Sequence, residues 1–155
     1  MCVMISTQFI AYGWLNFGKS GFVNGLKRVP EDLSQISLDG RSVLVTGGNA
    51  GLGFEVCKML ALTGAHVFMV VRSLERGLEA QKQIGLPNVQ VLKCDVSKQE
   101  DVAALIKQVE KLDILILNAG TLFSNERVEI EGVERTLATN VVGRNCFFFF
   151  FFLFC

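Results

Sequence analysis

From Arg41 onward, apolar runs alternate with stretches of helical spacing. Four apolar, β-branched runs predict strands, at Ser42–Thr46, Ala65–Val71, Val89–Lys93 and Leu112–Leu117. The segments between them predict helices at about Gly51–Thr63, Ser73–Ile84 and Ser97–Val109. The second helix is expected to end at Gly85, and a capping box at Ser97–Glu100 is expected to open the third. Strands that are apolar on both faces and alternate with helices predict a parallel sheet covered on both sides, an α/β, Rossmann-like, doubly wound half-sheet of about four strands.

The two ends of the chain depart from this alternation. Residues 1–18 carry no charge, but they are short for a spanning helix and lack the basic start of a secretory signal. They either lie in a membrane interface, with Tyr12 and Trp14 at headgroup level, or pack against the protein. We therefore divide the chain into an apolar segment with linker (1–40), a truncated Rossmann-like domain (41–146) and a tail (147–155).

The tail contains six consecutive phenylalanines, at 147–152. A homopolymer has no helical or strand period, so we expect no packed face there. The tail is interpreted as the end of a truncated or mis-spliced reading frame rather than as native structure. A sheet that stops after four strands would also leave residues 114–117 as an exposed apolar edge.

The turn after the first predicted strand is rich in glycine. Gly47, Gly51 and Gly53 follow the spacing G-x-x-x-G-x-G between a strand and a helix. Glycine permits a tight turn, lets the backbone approach a pyrophosphate and allows the helix to pack closely on the strand. Main-chain amides at the start of the helix then face the anion. The pattern predicts a site for the phosphates of a dinucleotide.

Arg72 follows the second predicted strand, nineteen residues after Gly53. In a dinucleotide fold this position meets the adenosine ribose, where an acidic residue favours a free 2′-hydroxyl and an arginine accommodates a 2′-phosphate. No acidic residue lies between Val67 and Leu74. The cofactor is therefore predicted to be NADP(H) rather than NAD(H), the alternative being that Arg72 is a solvated surface residue.

Four motifs between about Arg41 and Asn145 occur in the order and spacing of a known family. They are Thr46–Gly53, Cys94-Asp95-Val96, Asn118-Ala119-Gly120 and Asn140-Val141-Val142-Gly143. Together they resemble the short-chain dehydrogenase/reductase family. Residues 19–22 and 45–49 look most like the branch named dehydrogenase/reductase family member twelve. The resemblance implies hydride transfer between a nicotinamide and an alcohol or carbonyl substrate.

The resemblance also implies a role for each matching residue in cofactor binding. Thr46 would hold the glycine turn, and Asp95 with Val96 would contact the adenine. Asp95 is alternatively a loop residue before the next helix. Leu117 stands where the family often has a second asparagine, so one supporting hydrogen bond is expected to be missing. The remaining cofactor-binding residues are Asn49, Ala50 and Leu52 in the turn, and Asn118, Ala119 and Gly120 on the floor of the site.

The resemblance implies general acid catalysis by a helix with the motif Tyr-x-x-x-Lys, together with a serine earlier in the chain. Asn140 matches the helix asparagine that orients the lysine through water, although it is alternatively an incidental polar residue. The sequence has a single tyrosine, Tyr12, no lysine after Lys111, and Ser124 comes too early to match. We therefore expect an inactive part of an NADP(H)-dependent oxidoreductase, with a non-catalytic nucleotide-binding isoform or a membrane-associated interaction isoform as alternatives.

The composition of the chain restricts the classes of molecule that it is expected to bind. Fifteen basic and fifteen acidic residues cancel, so nothing draws the chain to nucleic acid. Five cysteines without C-x-x-C spacing indicate reduced thiols in the cytoplasm, with Cys57 and Cys94 as small core residues. His66 is the only histidine, so no Cys/His zinc site is expected. The expected partner is a small alcohol or carbonyl compound, with peripheral membrane contact through residues 1–18.

Overall fold

The computed structural model describes residue 23 and residues 36–122, 128–130 and 132–154. The chain divides into two compact units, residues 1–36 and 37–155. The predictions for residues 1–18 and for Ser124 lie outside the described residues. Among the residues described, none of the helices combines the length and the apolar character needed to cross a bilayer.

The second unit begins with alternating strands and helices. They are β1 (Ser42–Thr46), α1 (Gly51–Leu62), β2 (His66–Val71), α2 (Leu74–Ile84), β3 (Val89–Lys93), α3 (Gln99–Ile106) and β4 (Ile114–Ile116). A short antiparallel pair follows, β5 (Glu129–Ile130) and β6 (Val133–Glu134). The chain then continues as α4 (Arg135–Leu137), a π-helical segment (Ala138–Gly143) and α5 (Arg144–Phe154).

The first four strands form one parallel sheet in the order β3-β2-β1-β4. Leu44 at the centre of β1 pairs with Phe68 of β2 on one side and with Leu115 of β4 on the other. The predicted Rossmann-like half-sheet is confirmed. Within the described residues β4 lies at an edge of the sheet, as predicted, although its three residues are half-buried rather than exposed.

Side chains on opposite faces of the sheet form two separate cores, because successive residues of a strand point to opposite sides. On one face, Val45 and Met69 pack with Cys57 of α1 and Ala80 of α2. On the other face, the sheet residues pack with α3 and α5, in a cluster of buried residues that comprises Leu44, Phe68, Val70, Leu92, Cys94, Val102, Leu105, Val109, Phe147 and Phe151. Helices therefore cover both faces, which leaves the carboxyl ends of the strands open for a ligand.

The phenylalanine run differs from the sequence-based expectation. It lies in α5, where Phe147 and Phe151 are buried with their rings stacked at a centroid distance of 6.3 Å. The homopolymer itself has no period, but the helical residues before it fix the rotation of the helix, so every fourth ring faces the sheet. The expectation that the run has no packed face is therefore wrong for these two residues. Whether residues 147–155 are native structure stays a prediction.

The start of α3 also corrects a prediction. Lys98 is the N-cap residue, and no side chain caps it. The hydroxyl of Ser97 instead donates to Asp95 Oδ1 at 2.6 Å. The carboxylate of Asp101 accepts from the backbone N–H of Asp95 at 2.9 Å. The predicted capping box is wrong because a nearby carboxylate is a stronger partner for the serine hydroxyl than the helix amide is.

Asp113, just before β4, joins the amino ends of two strands. Its carboxylate accepts from the backbone N–H of Ser42 at 2.9 Å and from Arg41 Nη1 at 2.8 Å, and Lys111 lies 4.0 Å away. The bond from Ser42, followed by that from Arg41, holds the pKa of this carboxyl below its ordinary value of 3.8. Because the folded pKa is the lower one, the stabilisation is present above the ordinary pKa and is lost as the pH falls through the folded value.

We predict that Asp113→Asn lowers the urea midpoint at pH 7 but costs much less at pH 3. The variant keeps an acceptor for Ser42 and loses the charge, and the parent loses the same charge on acidification. Urea unfolding of both proteins at the two pH values measures this. An equal gap between parent and variant at pH 7 and pH 3 would contradict the role of the charge.

Candidate functional site

A cleft of about 370 Å³ opens at the carboxyl ends of the strands. In open α/β sheets this is where ligands bind. It is lined by nine of the thirteen residues predicted to bind a cofactor, namely Gly47, Asn49, Ala50, Arg72, Asp95, Val96, Asn118, Ala119 and Gly120. The other four, Thr46, Gly51, Leu52 and Gly53, lie in the same strand, turn and helix start without lining the cleft.

The glycine turn is built by close packing that a side chain would block. Gly47 adopts a φ of +69° and Gly51 a φ of +55°, which is the left-handed region that favours glycine. A Cβ on Gly53 would overlap the carbonyl oxygen of Gly47. A Cβ on Gly48 would lie 2.7 Å from both Cys57 Sγ and Met69 Cγ. The backbone therefore runs close to the sheet, and α1 begins directly behind it.

The amino end of α1 has the features of an anion site. Its N-cap residue, Ala50, lines the cleft and provides no side-chain cap. The first amides of a helix have no partner within the helix, and the helix dipole favours an anion beside them. Leu52 in this first turn is 81% exposed. This helix end can therefore hold a phosphate group at the cleft.

The loop after β4 supports the glycine turn from the other side. Asn118 Nδ2 donates to the carbonyl oxygens of Thr46 and Gly47, at 3.0 and 3.3 Å. The backbone N–H of Ala119 donates to Thr46 Oγ1 at 3.0 Å. Leu117, which stands where the family that the sequence resembles often has a second asparagine, packs against the core that the sheet forms with α3 and α5. The turn and the floor of the cleft are thus one hydrogen-bonded unit.

The loop after β3 forms another wall of the cleft. Asp95 Oδ1 accepts from the backbone N–H and the hydroxyl of Ser97, at 3.1 and 2.6 Å. Burial, with smaller contributions from the carboxylates of Asp101 and Asp95, raises the pKa of the Cys94 thiol to about 12. Burial alone raises the pKa of Cys57 to about 12. Both thiols stay protonated near neutral pH, so neither is a nucleophile.

Asn140 lies in the π-helical segment and contacts the loop after β4. Its Nδ2 donates to the carbonyl oxygen of Thr121, and its Oδ1 accepts from the backbone N–H of Thr121, both at 2.8 Å. The absence of a side chain at Gly143 lets the same segment approach the carbonyl of Val96. Asn140 therefore holds the rim of the cleft, and its role in catalysis stays a prediction.

The structure adds residues that the sequence reasoning missed. They are Val70, Ser73, Arg76, Cys94, Thr121 and Thr139, which all line the cleft. Arg76 had a sequence signal, because it lies one helical turn after Arg72. Thr121 and Thr139 had no such signal, since only the tertiary fold brings them to the same cleft.

A family model for short chain dehydrogenases matches residues 41–147, from the residue before β1 into α5. The chain belongs to the short-chain dehydrogenase/reductase family. This confirms the resemblance that was read from the four motifs. The chain spans between a third and about half of the length of the curated relatives that it matches, with values of 33%, 47% and 40%.

Individual relatives agree with this assignment. The bovine (Bos taurus) dehydrogenase/reductase SDR family member 12 is 32% identical over 151 residues, which cover 92% of this chain and 47% of that protein. An uncharacterised protein from Mycobacterium paratuberculosis has a TM-score of 0.70 at 30% identity, with 76% of this chain and 44% of that one covered. The Pseudomonas aeruginosa RhlG/NADP active-site complex has a TM-score of 0.62 at 29% identity, covering 72% of this chain and 46% of that one.

Proposed function

We propose that this chain binds NADP(H), as the cofactor-binding part of an oxidoreductase that passes hydride between a nicotinamide and an alcohol or carbonyl substrate. The observation that carries the proposal is the uncapped amino end of α1, which meets the cleft behind a glycine turn. Backbone amides and the helix dipole at such an end favour a diphosphate. The turn also lies close to the floor of the cleft, because a Cβ at Gly47 would lie 3.0 Å from Ala119 Cα.

The preference for NADP(H) rests on the charge at the ribose end of the cleft. Arg72 lines the cleft where an adenosine ribose would lie, and the acidic residue among the lining residues, Asp95, follows a different strand. A protein with a similar fold, Pseudomonas aeruginosa RhlG, has been solved as a complex with NADP. The residues after β3, Asp95 and Val96, would then contact the adenine.

We further propose that the 155 residues bind the cofactor without turning over a substrate. The residues that line the cleft in the described part of the chain include neither a tyrosine nor a lysine. The only tyrosine of the sequence is Tyr12, and no lysine follows Lys111. Asn140 is thus the one position that matches the family's catalytic set. The alcohol or carbonyl compound is the substrate of the whole protein, which we place in the cytoplasm, with residues 1–18 available for peripheral membrane contact.

We predict that Arg72→Gln weakens NADPH binding about tenfold and leaves NADH binding unchanged. A hydrogen bond to a charged group contributes about 1.5–3 kcal/mol, and tenfold in affinity corresponds to about 1.4 kcal/mol, so the lower end suits this exposed site. Isothermal titration calorimetry with both dinucleotides measures the two affinities. Lys58→Gln is the control, because it removes the same charge from an exposed position of α1 outside the cleft.

Two results would count against the assignment of Arg72. One is an equal loss of affinity for NADPH and NADH in Arg72→Gln, which would mean that the arginine acts on the shared part of the cofactor. The other is tighter binding of NADH than of NADPH by the parent chain, which would make NAD(H) the cofactor.

A further inference from the structure

The main chain at Asp95 is held in place by the first turn of α3. The backbone N–H of Asp95 donates to Asp101 Oδ2 at 2.9 Å, and the carbonyl oxygen of Asp95 accepts from the backbone N–H of Lys98 at 2.9 Å. Asp101 lies in the first turn of α3, so its bond ties the loop after β3 to this helix. Asp101 therefore sets the position of a residue that lines the cleft.

The side chain of Asp95 is held by Ser97. The hydroxyl and the backbone N–H of Ser97 both donate to Asp95 Oδ1, at 2.6 and 3.1 Å. Ser97 is 5% exposed, so water competes little for its hydroxyl. An ionised carboxylate offers about four acceptor positions on its two oxygens. Ser97 takes two of these positions, both on Oδ1, and leaves Oδ2 for a ligand in the cleft.

The next residue of this loop packs against the π-helical segment. A Cβ on Gly143 would overlap the carbonyl oxygen of Val96, so the loop has no room to move toward that segment. Moving the other way would strain the bond between Asp95 and Asp101. The carboxylate of Asp95 is therefore fixed before a ligand arrives, which reduces the cost of ordering it on binding.

A fixed carboxylate distinguishes an amino group from an oxygen. Adenine has an amino group at position six of the purine, and this group donates hydrogen bonds. Hypoxanthine has an oxygen there, which cannot donate to a carboxylate. A site built to bond an N–H group rejects the analogue that lacks it, because the polar group of the site is left unpaired. A mobile carboxylate would instead turn to water and discriminate little.

We propose that Ser97 and Asp101 are positioning residues that make the cleft select an adenine dinucleotide over its hypoxanthine analogue. This selection rests on the proposed function, in which Asp95 and Val96 contact the base, and adds the residues that set its strength. Asp101 fixes the main chain of Asp95, and Ser97 fixes which carboxylate oxygen faces the base. Neither Ser97 nor Asp101 lines the cleft, so both act through Asp95.

The test titrates the full 155-residue chain with NADPH and with nicotinamide hypoxanthine dinucleotide phosphate in its reduced form, and takes the ratio of the two affinities. We expect the parent to bind NADPH about tenfold more tightly, as the loss of one hydrogen bond to a charged group implies. Ser97→Ala and Asp101→Ala should lower this ratio to about threefold or less. Loss of packing alone would weaken both dinucleotides equally and leave the ratio unchanged.

Two further variants sharpen the comparison. Asp101→Asn keeps an oxygen that accepts from the backbone N–H of Asp95, so it should recover most of the parent's ratio. Glu100→Ala removes a neighbouring charge from the same helical turn, at an exposed position outside the cleft, and should match the parent. A ratio lowered as much by Glu100→Ala as by Asp101→Ala would contradict the role of the Asp101 bond.

The outcomes separate this inference from the function beneath it. If the parent binds both dinucleotides equally, or if Ser97→Ala and Asp101→Ala keep the parent's ratio, the positioning role is wrong and dinucleotide binding stands. If the folded parent binds neither dinucleotide, the proposed function is wrong and the selection falls with it. Circular dichroism checks that each variant is folded. Ser97→Ala retains the bond from its backbone N–H and decides the question if Asp101→Ala does not fold.

Discussion

Gly53→Ala is expected to lower the free energy of unfolding by about 3 kcal/mol and to abolish dinucleotide binding. The added Cβ would overlap the carbonyl oxygen of Gly47 and would lie 2.5 Å from Asn118 Nδ2. A backbone oxygen cannot swing aside as the end of a flexible side chain can. Displacing Asn118 would also break its bonds to the carbonyls of Thr46 and Gly47. The turn must therefore open, and the cradle for the diphosphate is lost with it.

Gly120→Ala is the matched control for this prediction. A Cβ there would meet Asn140 Oδ1 at 3.5 Å and the carbonyl of Asn118 at 4.0 Å, which are ordinary contacts. We expect its free energy of unfolding to stay within about 0.5 kcal/mol of the parent's. Urea unfolding measures both variants, and NADPH titration follows for Gly53→Ala. Parent-like stability together with parent-like NADPH affinity in Gly53→Ala would refute the packing described for the turn.

Phe147→Ala is expected to destabilise the protein by about 3–5 kcal/mol. Phe147 is 1% exposed, stacks on Phe151, and packs into the core between the sheet, α3 and α5. Removing its ring leaves a cavity in the core that also contains Leu44 and Leu105, and close-packed side chains have little room to collapse inward.

Phe149→Ala provides the control for Phe147, because the same substitution is made two residues away in the same helix. Phe149 is 61% exposed, so we expect a loss of less than about 1 kcal/mol. Urea unfolding monitored by far-ultraviolet circular dichroism gives both values. Equal effects of the two substitutions would mean that α5 does not pack against the sheet through this face, and would support the sequence-based expectation that the tail has no packed face.

Local patterns predicted the sheet and its helices well. β1 has the predicted bounds, and α2 begins after Ser73 and ends just before Gly85, as the serine cap and the glycine stop indicate. The bounds of these elements are set by the periodicity of apolar residues and by the residues at the helix ends, which are signals that span only a few positions of the chain. The start of α3 shows where this fails: Ser97 and Glu100 have the spacing of a capping box, but Asp95 takes the serine hydroxyl. A rule based on spacing along the chain does not account for other hydrogen-bond partners that compete for the capping side chain.

The candidate site divides in the same way. The sequence predicted nine residues that line the cleft, because a glycine turn and residues at the carboxyl ends of strands are marked by their neighbours in the chain. The mutual contact of Asn140 and Thr121 spans nineteen residues and had no local signal. The burial of Phe147 depends on the rotation of α5 about its own axis, which the preceding α4 and π-helical segment set. The composition of the phenylalanine run alone could not predict that rotation.

The central claim is that the main-chain amides of the turn between β1 and α1 bind the diphosphate of a nicotinamide dinucleotide. Its most direct test is calorimetric titration of the folded 155-residue chain with NADPH and then NADH. We predict saturable binding of one molecule per chain with a Kd of about 1 mM or tighter, and tighter binding of NADPH than of NADH. A chain that is folded by circular dichroism and retains neither dinucleotide at millimolar concentration would contradict the claim.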